Sequence, residues 1–190
     1  DYQYNAMNHL VLSTNALNES TLYEVNMYGN VTKKIDAKSN TTIMVYGPNQ
    51  KVEEVKYYNT NALDDDLLII KYDYDKLDNL VKESKIYKDA LNGDTETVVT
   101  TRAYNAFGNC TQSIDERNFE TIYQYNGYNQ LVRTQYPNGL IAINSYDPLT
   151  GRLLEAKQED SDPLTSDRSI QYTYNVFGEL TKEVATNGSF

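Results

Sequence analysis

The chain has 190 residues, a net charge of −10, 18 tyrosines, 4 phenylalanines, no tryptophan and a single cysteine. The acidity excludes a surface built to track a nucleic-acid backbone, which needs clustered Lys and Arg. One cysteine excludes an internal disulfide or a cysteine-based metal cluster, and no window reaches the roughly 18 apolar residues of a membrane-spanning helix.

Taken along the chain, the sequence reads as a run of β-hairpins. The seed is Tyr-x-Tyr-Asn-x-x-Gly-x-Leu, clearest at Tyr172, Tyr174, Asn175, Gly178 and Leu180. The second tyrosine of each copy marks an anchor, and the anchors are Tyr4, Val25, Tyr46, Tyr74, Tyr104, Tyr125, Tyr146 and Tyr174. After them come Asn5, Asn26, Gly47, Asp75, Asn105, Asn126, Asp147 and Asn175. Three residues further on sit Asn8, Gly29, Gln50, Asp78, Gly108, Asn129 and Gly178, with Gly151 one place later in the seventh copy. Asn or Asp first and a residue tolerant of positive φ fourth predict a type I turn closed by a left-handed residue. Gln50 is the exception to that rule.

Counting across each turn predicts the cross-strand pairs Tyr4–Leu10, Val25–Val31, Tyr46–Val52, Tyr74–Leu80, Tyr104–Cys110, Tyr125–Leu131, Tyr146–Leu153 and Tyr174–Leu180. An aromatic opposite an aliphatic is a favourable pair, worth roughly 0.2–1 kcal/mol. Two residues back on the same face stand Tyr2, Tyr23, Met44, Tyr72, Arg102, Tyr123, Asn144 and Tyr172. The same count sets Lys33, Lys82, Arg133 and Lys182 opposite four of these, with cationic stems lying on tyrosine rings. Longer polar linkers are expected near Asn59–Asp66, Lys88–Thr95 and Gln158–Arg168.

A larger period is present too. Tyr4 maps on Tyr104, Val25 on Tyr125, Tyr46 on Tyr146 and Tyr74 on Tyr174, all at one offset. The array, residues 1–190, therefore divides into two blocks of four hairpins, 1–100 and 101–190. The expected fold is all-β: tandem hairpins in one long curved antiparallel sheet, because a twisted sheet of this many strands curls. Its terminal hairpins would leave unpaired edges, open to edge-to-edge self-association. The start at Asp1, with neither an initiator Met nor a signal-peptide pattern, reads as a fragment or a processed product.

With Tyr-x-Tyr at Tyr2/Tyr4, Tyr72/Tyr74, Tyr123/Tyr125 and Tyr172/Tyr174, and with Tyr146-Asp147-Pro148-Leu149-Thr150-Gly151-Arg152-Leu153, the chain resembles the YD-repeat, or RHS-repeat, family. The family pattern is Tyr-x-Tyr-Asp-x-x-Gly-Arg-Leu. Here Val25 replaces a Tyr, and Arg before Leu occurs only at Arg152. The resemblance implies a segment of a spiral β-shell, of the sort found in insecticidal toxin-complex subunits, bacterial polymorphic toxins and teneurins. It implies a secreted or cell-surface location. It also implies partnership with the rest of the shell or with other toxin subunits, and enclosure of a C-terminal toxic domain not present in this chain. Asp147-Pro148 and Asp162-Pro163 read as turn or loop rather than as the self-cleaving core motif of bacterial shells, so shell wall alone is expected.

No catalytic, cofactor-binding or metal-binding residue is assigned, and the chain is expected not to be an enzyme. His9 sits in a turn, and Cys110 occupies an apolar cross-strand slot. Asp64-Asp65-Asp66 lacks the alternating spacing of a calcium loop. Asp115-Glu116 and Glu159-Asp160 are adjacent carboxylates, whose side chains diverge on a strand. The tyrosine rows read as a ladder between hairpins. The alternative is an extracellular carbohydrate- or protein-binding module that uses those rows and the acidic loops. Sequons stand at Asn18, Asn30, Asn40, Asn109 and Asn187.

Overall fold

A computed structural model describes residues 1–58, 68–88, 93–160 and 167–187. Among the described residues there are sixteen strands and no helix, hence no helix long and apolar enough to cross a membrane. The strands are β1 (Tyr2–Tyr4), β2 (Leu10–Thr14), β3 (Ser20–Val25), β4 (Val31–Ile35), β5 (Thr41–Tyr46), β6 (Val52–Tyr58), β7 (Leu68–Tyr74) and β8 (Leu80–Lys88). They continue as β9 (Thr95–Tyr104), β10 (Cys110–Ile114), β11 (Glu120–Tyr125), β12 (Leu131–Gln135), β13 (Ile141–Tyr146), β14 (Leu153–Glu159), β15 (Arg168–Tyr174) and β16 (Leu180–Asn187). Strand order is chain order, with no crossover. The fold class read from the sequence, antiparallel tandem hairpins, is the one observed.

Two compact units divide the chain, Asp1–Thr100 and Thr101–Phe190. In each unit neighbouring strands pair antiparallel and few side chains leave solvent. Among the described residues only Gly47, Val55, Ser84 and Thr134 are buried. Each unit is thus a single-layer sheet, and most strand residues are half-buried. Hydrophobic burial in such a layer comes mainly from side chains lying against neighbours on the same face, not from a second layer.

The turns hold because of their first residue. In ten of the described turns an Asn or Asp Oδ1 accepts two backbone N–H groups, at 2.8–3.0 Å. Such a side chain mimics the backbone of a turn and satisfies donors that no strand can reach. Where the first residue is Gly47 or Tyr136, the third takes over in part. Asn49 Oδ1 accepts Lys51 N–H, and Asn138 Oδ1 accepts Leu140 N–H, both at 3.2 Å.

All eight fourth-position residues lie at positive φ, including Gln50 at +62°. Gln50 is therefore no exception in geometry. The turn imposes the left-handed conformation on it at an energetic cost.

The shorter linkers between hairpins turn in the same way, which the sequence reading did not anticipate. Asn18, Ser39, Asn118 and Gly139 also have positive φ, and each donates its N–H to the carbonyl three residues earlier, on Asn15, Asp36, Asp115 and Tyr136. The signal was present: Asn15, Asp36 and Asp115 repeat the chemistry of the first turn position.

All eight predicted anchor pairs are observed, Tyr4↔Leu10 through Tyr174↔Leu180. The next step along each hairpin is not as predicted. The register shifts between the anchor and the residue before it, so Val25 faces Val31 whereas Glu24 faces Lys33. One extra residue in the return strand, such as Thr32, forms a β-bulge. Lys33, Lys82, Arg133 and Lys182 consequently face Glu24, Asp73, Gln124 and Thr173, not the tyrosines. Tyr23, Tyr72, Tyr123 and Tyr172 face Lys34, Glu83, Thr134 and Glu183 instead. Lys33 meets Glu24 at 3.1 Å and Lys82 meets Asp73 at 3.9 Å. These pairs are exposed and contribute at most about 1 kcal/mol each. At three bulges a threonine hydroxyl donates to the carbonyl that the extra residue leaves over: Thr32 to Glu24, Thr111 to Ala103 and Thr181 to Thr173.

Candidate functional site

The strongest constellation is a ladder of tyrosine hydroxyls that joins five of the hairpins to the one before. Tyr46 donates to the Val31 carbonyl (2.9 Å), and Tyr74 to that of Val52 (3.0 Å). In the second unit Tyr125 donates to Cys110 (2.9 Å), Tyr146 to Leu131 (3.0 Å) and Tyr174 to Leu153 (3.0 Å). In every case the acceptor is the residue that faces the previous anchor. The ring packs within its own hairpin while the hydroxyl bonds its neighbour, so one side chain serves two repeats. Burial pushes the phenols of Tyr74 and Tyr125 above their ordinary range, which keeps the donating form.

Val25 is the one anchor without a hydroxyl. Its counterpart Tyr125 lies in the same register one hundred residues on. Val25→Tyr is expected to place a hydroxyl on the Leu10 carbonyl and to stabilise the first unit by about 0.5–1.5 kcal/mol. A rise in the urea midpoint with an unchanged slope would report it. An unchanged midpoint would mean that the ladder geometry does not extend to this rung.

A second ladder runs along the turn edge. The fifth turn residue of one hairpin reaches the left-handed fourth residue of the next. Asn30 donates to Gln50 (2.9 Å), Asn109 to Asn129 (3.0 Å), and Gln130 to the Gly151 carbonyl (2.7 Å). Lys51 donates to the Asp78 carbonyl and lies 5.0 Å from the centre of the Tyr74 ring. Arg152 lies 5.7 Å from the centre of the Tyr174 ring and against Gly178, whose Cβ, if present, would collide with its guanidinium. The cation–ring contacts thus belong to the fifth turn position and the next anchor, not to the cross-strand slots read from the sequence.

The residues singled out in the sequence fall into this scheme. His9 is a fifth turn residue, and its ring covers Gly29, where a Cβ would stand 3.0 Å from Nε2. Its Nδ1 is buried and makes no hydrogen bond. Cys110 is a half-buried free thiol opposite Tyr104, and its Sγ lies 3.2 Å from the Gln112 carbonyl oxygen. Asp64-Asp65-Asp66 and Asp162-Pro163 lie outside the described residues. Asn18, Asn30, Asn40 and Asn109 all stand in turns, while the sequon at Asn187 runs beyond the described residues.

Three turn carboxylates carry a pH signature. Asp36 and Asp75 are held below the ordinary aspartate range, first by the side-chain amides of Asn40 and Asn79, and Asp147 by the backbone N–H of Thr150. A folded-state value below the unfolded one, about 4, adds stability above pH 4 that is lost as the pH falls through the folded values. The triple variant Asp36→Asn, Asp75→Asn, Asp147→Asn is expected to lose less stability than wild type between pH 5 and pH 2. Parallel urea midpoints across that range would show otherwise if the three carboxylates do not couple to folding.

Two open grooves occupy equivalent places in the two units. One, of about 630 Å³, lies beside Pro48, Glu53, Glu54, Lys71 and Asp73. The other, of about 350 Å³, lies beside Asp147, Thr150, Arg152, Leu154 and Thr173. Lys71 pairs with Glu54 at 3.6 Å, so the charge of the first groove is partly neutralised.

Residues 104–141 match the model of the RHS repeat. That stretch runs from the anchor Tyr104 to the start of β13 and spans two hairpin turns and two linker turns. No curated protein matches the chain. Among solved structures, the complex of TcdB2 and TccC3 with Cdc42 is similar over 100% of this chain and 12% of its own, at 12% identity and a TM-score of 0.42. A mutant Tc holotoxin pore of Photorhabdus luminescens is similar over 83% of this chain and 9% of its own, at 17% identity and a TM-score of 0.44. The chain therefore spans about one eighth of the first of these or less of the second.

Proposed function

We propose that the chain, whose residues 104–141 match the RHS repeat, serves as a stretch of wall in an RHS shell. The supporting observation is the tyrosine ladder. Each rung spends its hydroxyl on the neighbouring hairpin, and the sheet is a single layer. Such a structure suits a partition better than a catalytic centre, which needs side chains converging in a water-poor cleft. The two units, four hairpins each, are the proposed building blocks of the wall, and no catalytic role is proposed for His9 or Cys110.

We further propose that the complete protein is a secreted or surface toxin component, that this wall adjoins other parts of the shell or other toxin subunits, and that it encloses a toxic domain. The repeat match supports an RHS wall, and the family resemblance implies the rest. Limited proteolysis tests the wall itself. Nearest-neighbour stabilisation predicts resistance as a block, or fraying from one end. Equal cleavage of strands and linkers throughout would overturn the reading. Enclosure is tested in the full-length protein by the double variant Tyr125→Ala, Tyr146→Ala. Protease access to the enclosed domain should rise in the variant, and equal access in both proteins would overturn enclosure.

A further inference from the structure

We propose that the groove of the second unit binds a carboxylate-bearing sugar of the hexuronate class, held by the Arg152 guanidinium, a function additional to that of a wall. The first unit supplies the template. Lys51 and Arg152 both occupy the fifth position of a hairpin turn, and both lie near the next anchor ring, at 5.0 Å from the centre of Tyr74 and 5.7 Å from that of Tyr174. In the first unit the cation has an internal carboxylate. Asp78, the left-handed fourth residue of the next turn, brings Oδ2 to 3.9 Å from Lys51 Nζ, and its Oδ1 accepts the Asn49 side-chain amide at 2.8 Å. One hundred residues on, the position of Asp78 is taken by Gly178. The second unit thus repeats the cation and the ring but not the carboxylate.

Arg152 is held in place all the same. Its guanidinium packs against Gly178, where an added Cβ would collide with it, and lies beside the Tyr174 ring. Among the described residues that guanidinium makes no ion pair and no hydrogen bond. A half-buried guanidinium that is positioned but unpaired is pre-organised for an anion. A ligand carboxylate can take its fork of donors in a bidentate pair, and the side chain has little freedom left to lose.

The rest of the groove selects the body of the ligand. Its volume, about 350 Å³, falls within the range of small-molecule sites. Leu154 and Val176 line it with apolar surface, and Thr150 and Thr173 with hydroxyls. That mixture suits a pyranose, with its C–H face and hydroxyl edges, better than a bare inorganic anion. Charge does not forbid the pairing. Asp147 also lines the groove, but its Oδ1 is committed to the N–H groups of Leu149 and Thr150, at 2.8 and 2.9 Å. In the first unit Asp78 keeps its place beside Lys51 although Glu53, Glu54, Asp73 and Asp75 line the groove there. The net charge of the chain is screened beyond about 8 Å at physiological ionic strength.

Titration with D-glucuronate, followed by nitrogen-correlated NMR with the Arg152 Nε–H as reporter, tests this. Glucose, which lacks the carboxylate, and acetate, which lacks the ring, are the controls. Glucuronate should shift the Arg152 Nε–H and the Gly178 backbone amide together and saturably, and should bind at least about tenfold more tightly than either control. Arg152→Gln should weaken glucuronate binding at least about tenfold, because the charged, forked donor is gone. Gly178→Asp supplies the carboxylate from within, as Asp78 does, and should weaken it as much. If Gly178→Asp loses its strand signal in circular dichroism, Arg152→Gln, a change at an exposed turn, carries the test by itself. No saturable shift at Arg152 would overturn the site, and so would equal affinity in wild type and Arg152→Gln. Glucose binding as tightly as glucuronate would overturn the role of the carboxylate. Acetate binding as tightly would overturn the assignment to a sugar.

Discussion

Tyr125→Ala is expected to destabilise the second unit by about 2–3 kcal/mol, and Tyr125→Phe by about 1 kcal/mol. The two substitutions remove different things. Phenylalanine keeps the ring against Leu131 and loses only the 2.9 Å bond to the Cys110 carbonyl. Alanine loses ring and bond together. The ring is half-buried, so its loss should fall below the roughly 3–5 kcal/mol of a fully buried aromatic. Urea unfolding followed by circular dichroism separates the cases. If Tyr125→Phe is silent, the hydroxyl bonds contribute nothing net and the hairpins are held by backbone pairing and ring packing alone. If it costs as much as Tyr125→Ala, the ring contributes nothing beyond its hydroxyl.

Gly178→Ala should cost about 2–3 kcal/mol from two separable sources. The backbone sits at φ +88°, a conformation that costs a side-chain-bearing residue roughly 1–2 kcal/mol. The added Cβ also meets the Arg152 guanidinium, which must leave its place near the Tyr174 ring. That stacking contributes about 0.5–1 kcal/mol. A double-mutant cycle distinguishes the two parts. In an Arg152→Ala background the cost of Gly178→Ala should fall by about 1 kcal/mol and no further, because the backbone term remains. Full additivity would mean that Arg152 simply moves aside, and that the turn-edge contact carries no energy at this position.

These two expectations mark the line between what was readable in advance and what was not. The hairpin count, the turn positions and the eight anchor pairs were legible because they are local. Asn or Asp at the first turn position, a left-handed residue at the fourth and an apolar residue six places past the anchor act within about ten residues of one another. The misplacement of Lys33, Lys82, Arg133 and Lys182 was local too, but it came from a different cause. A β-bulge changes the count by one without any residue type announcing it, since Val11, Thr32 and Glu53 all serve as the extra residue. Gln50 fell outside the rule for the opposite reason: its neighbours, closed into the hairpin, impose a conformation that its own chemistry disfavours.

By itself the sequence determined that the chain is an antiparallel array of hairpins with tyrosine at the seams, since strand propensity, turn chemistry and a strict repeat all act at short range. Only the tertiary structure decided where those tyrosines spend their hydroxyls, and that Arg152 and His9 lie on Gly178 and Gly29. Each of these joins residues about fifteen places apart or more. A repeat period says which residues are equivalent. It does not say which of them touch, because contact depends on strand register and on which edge each turn closes, and both are set by pairing along the whole sheet.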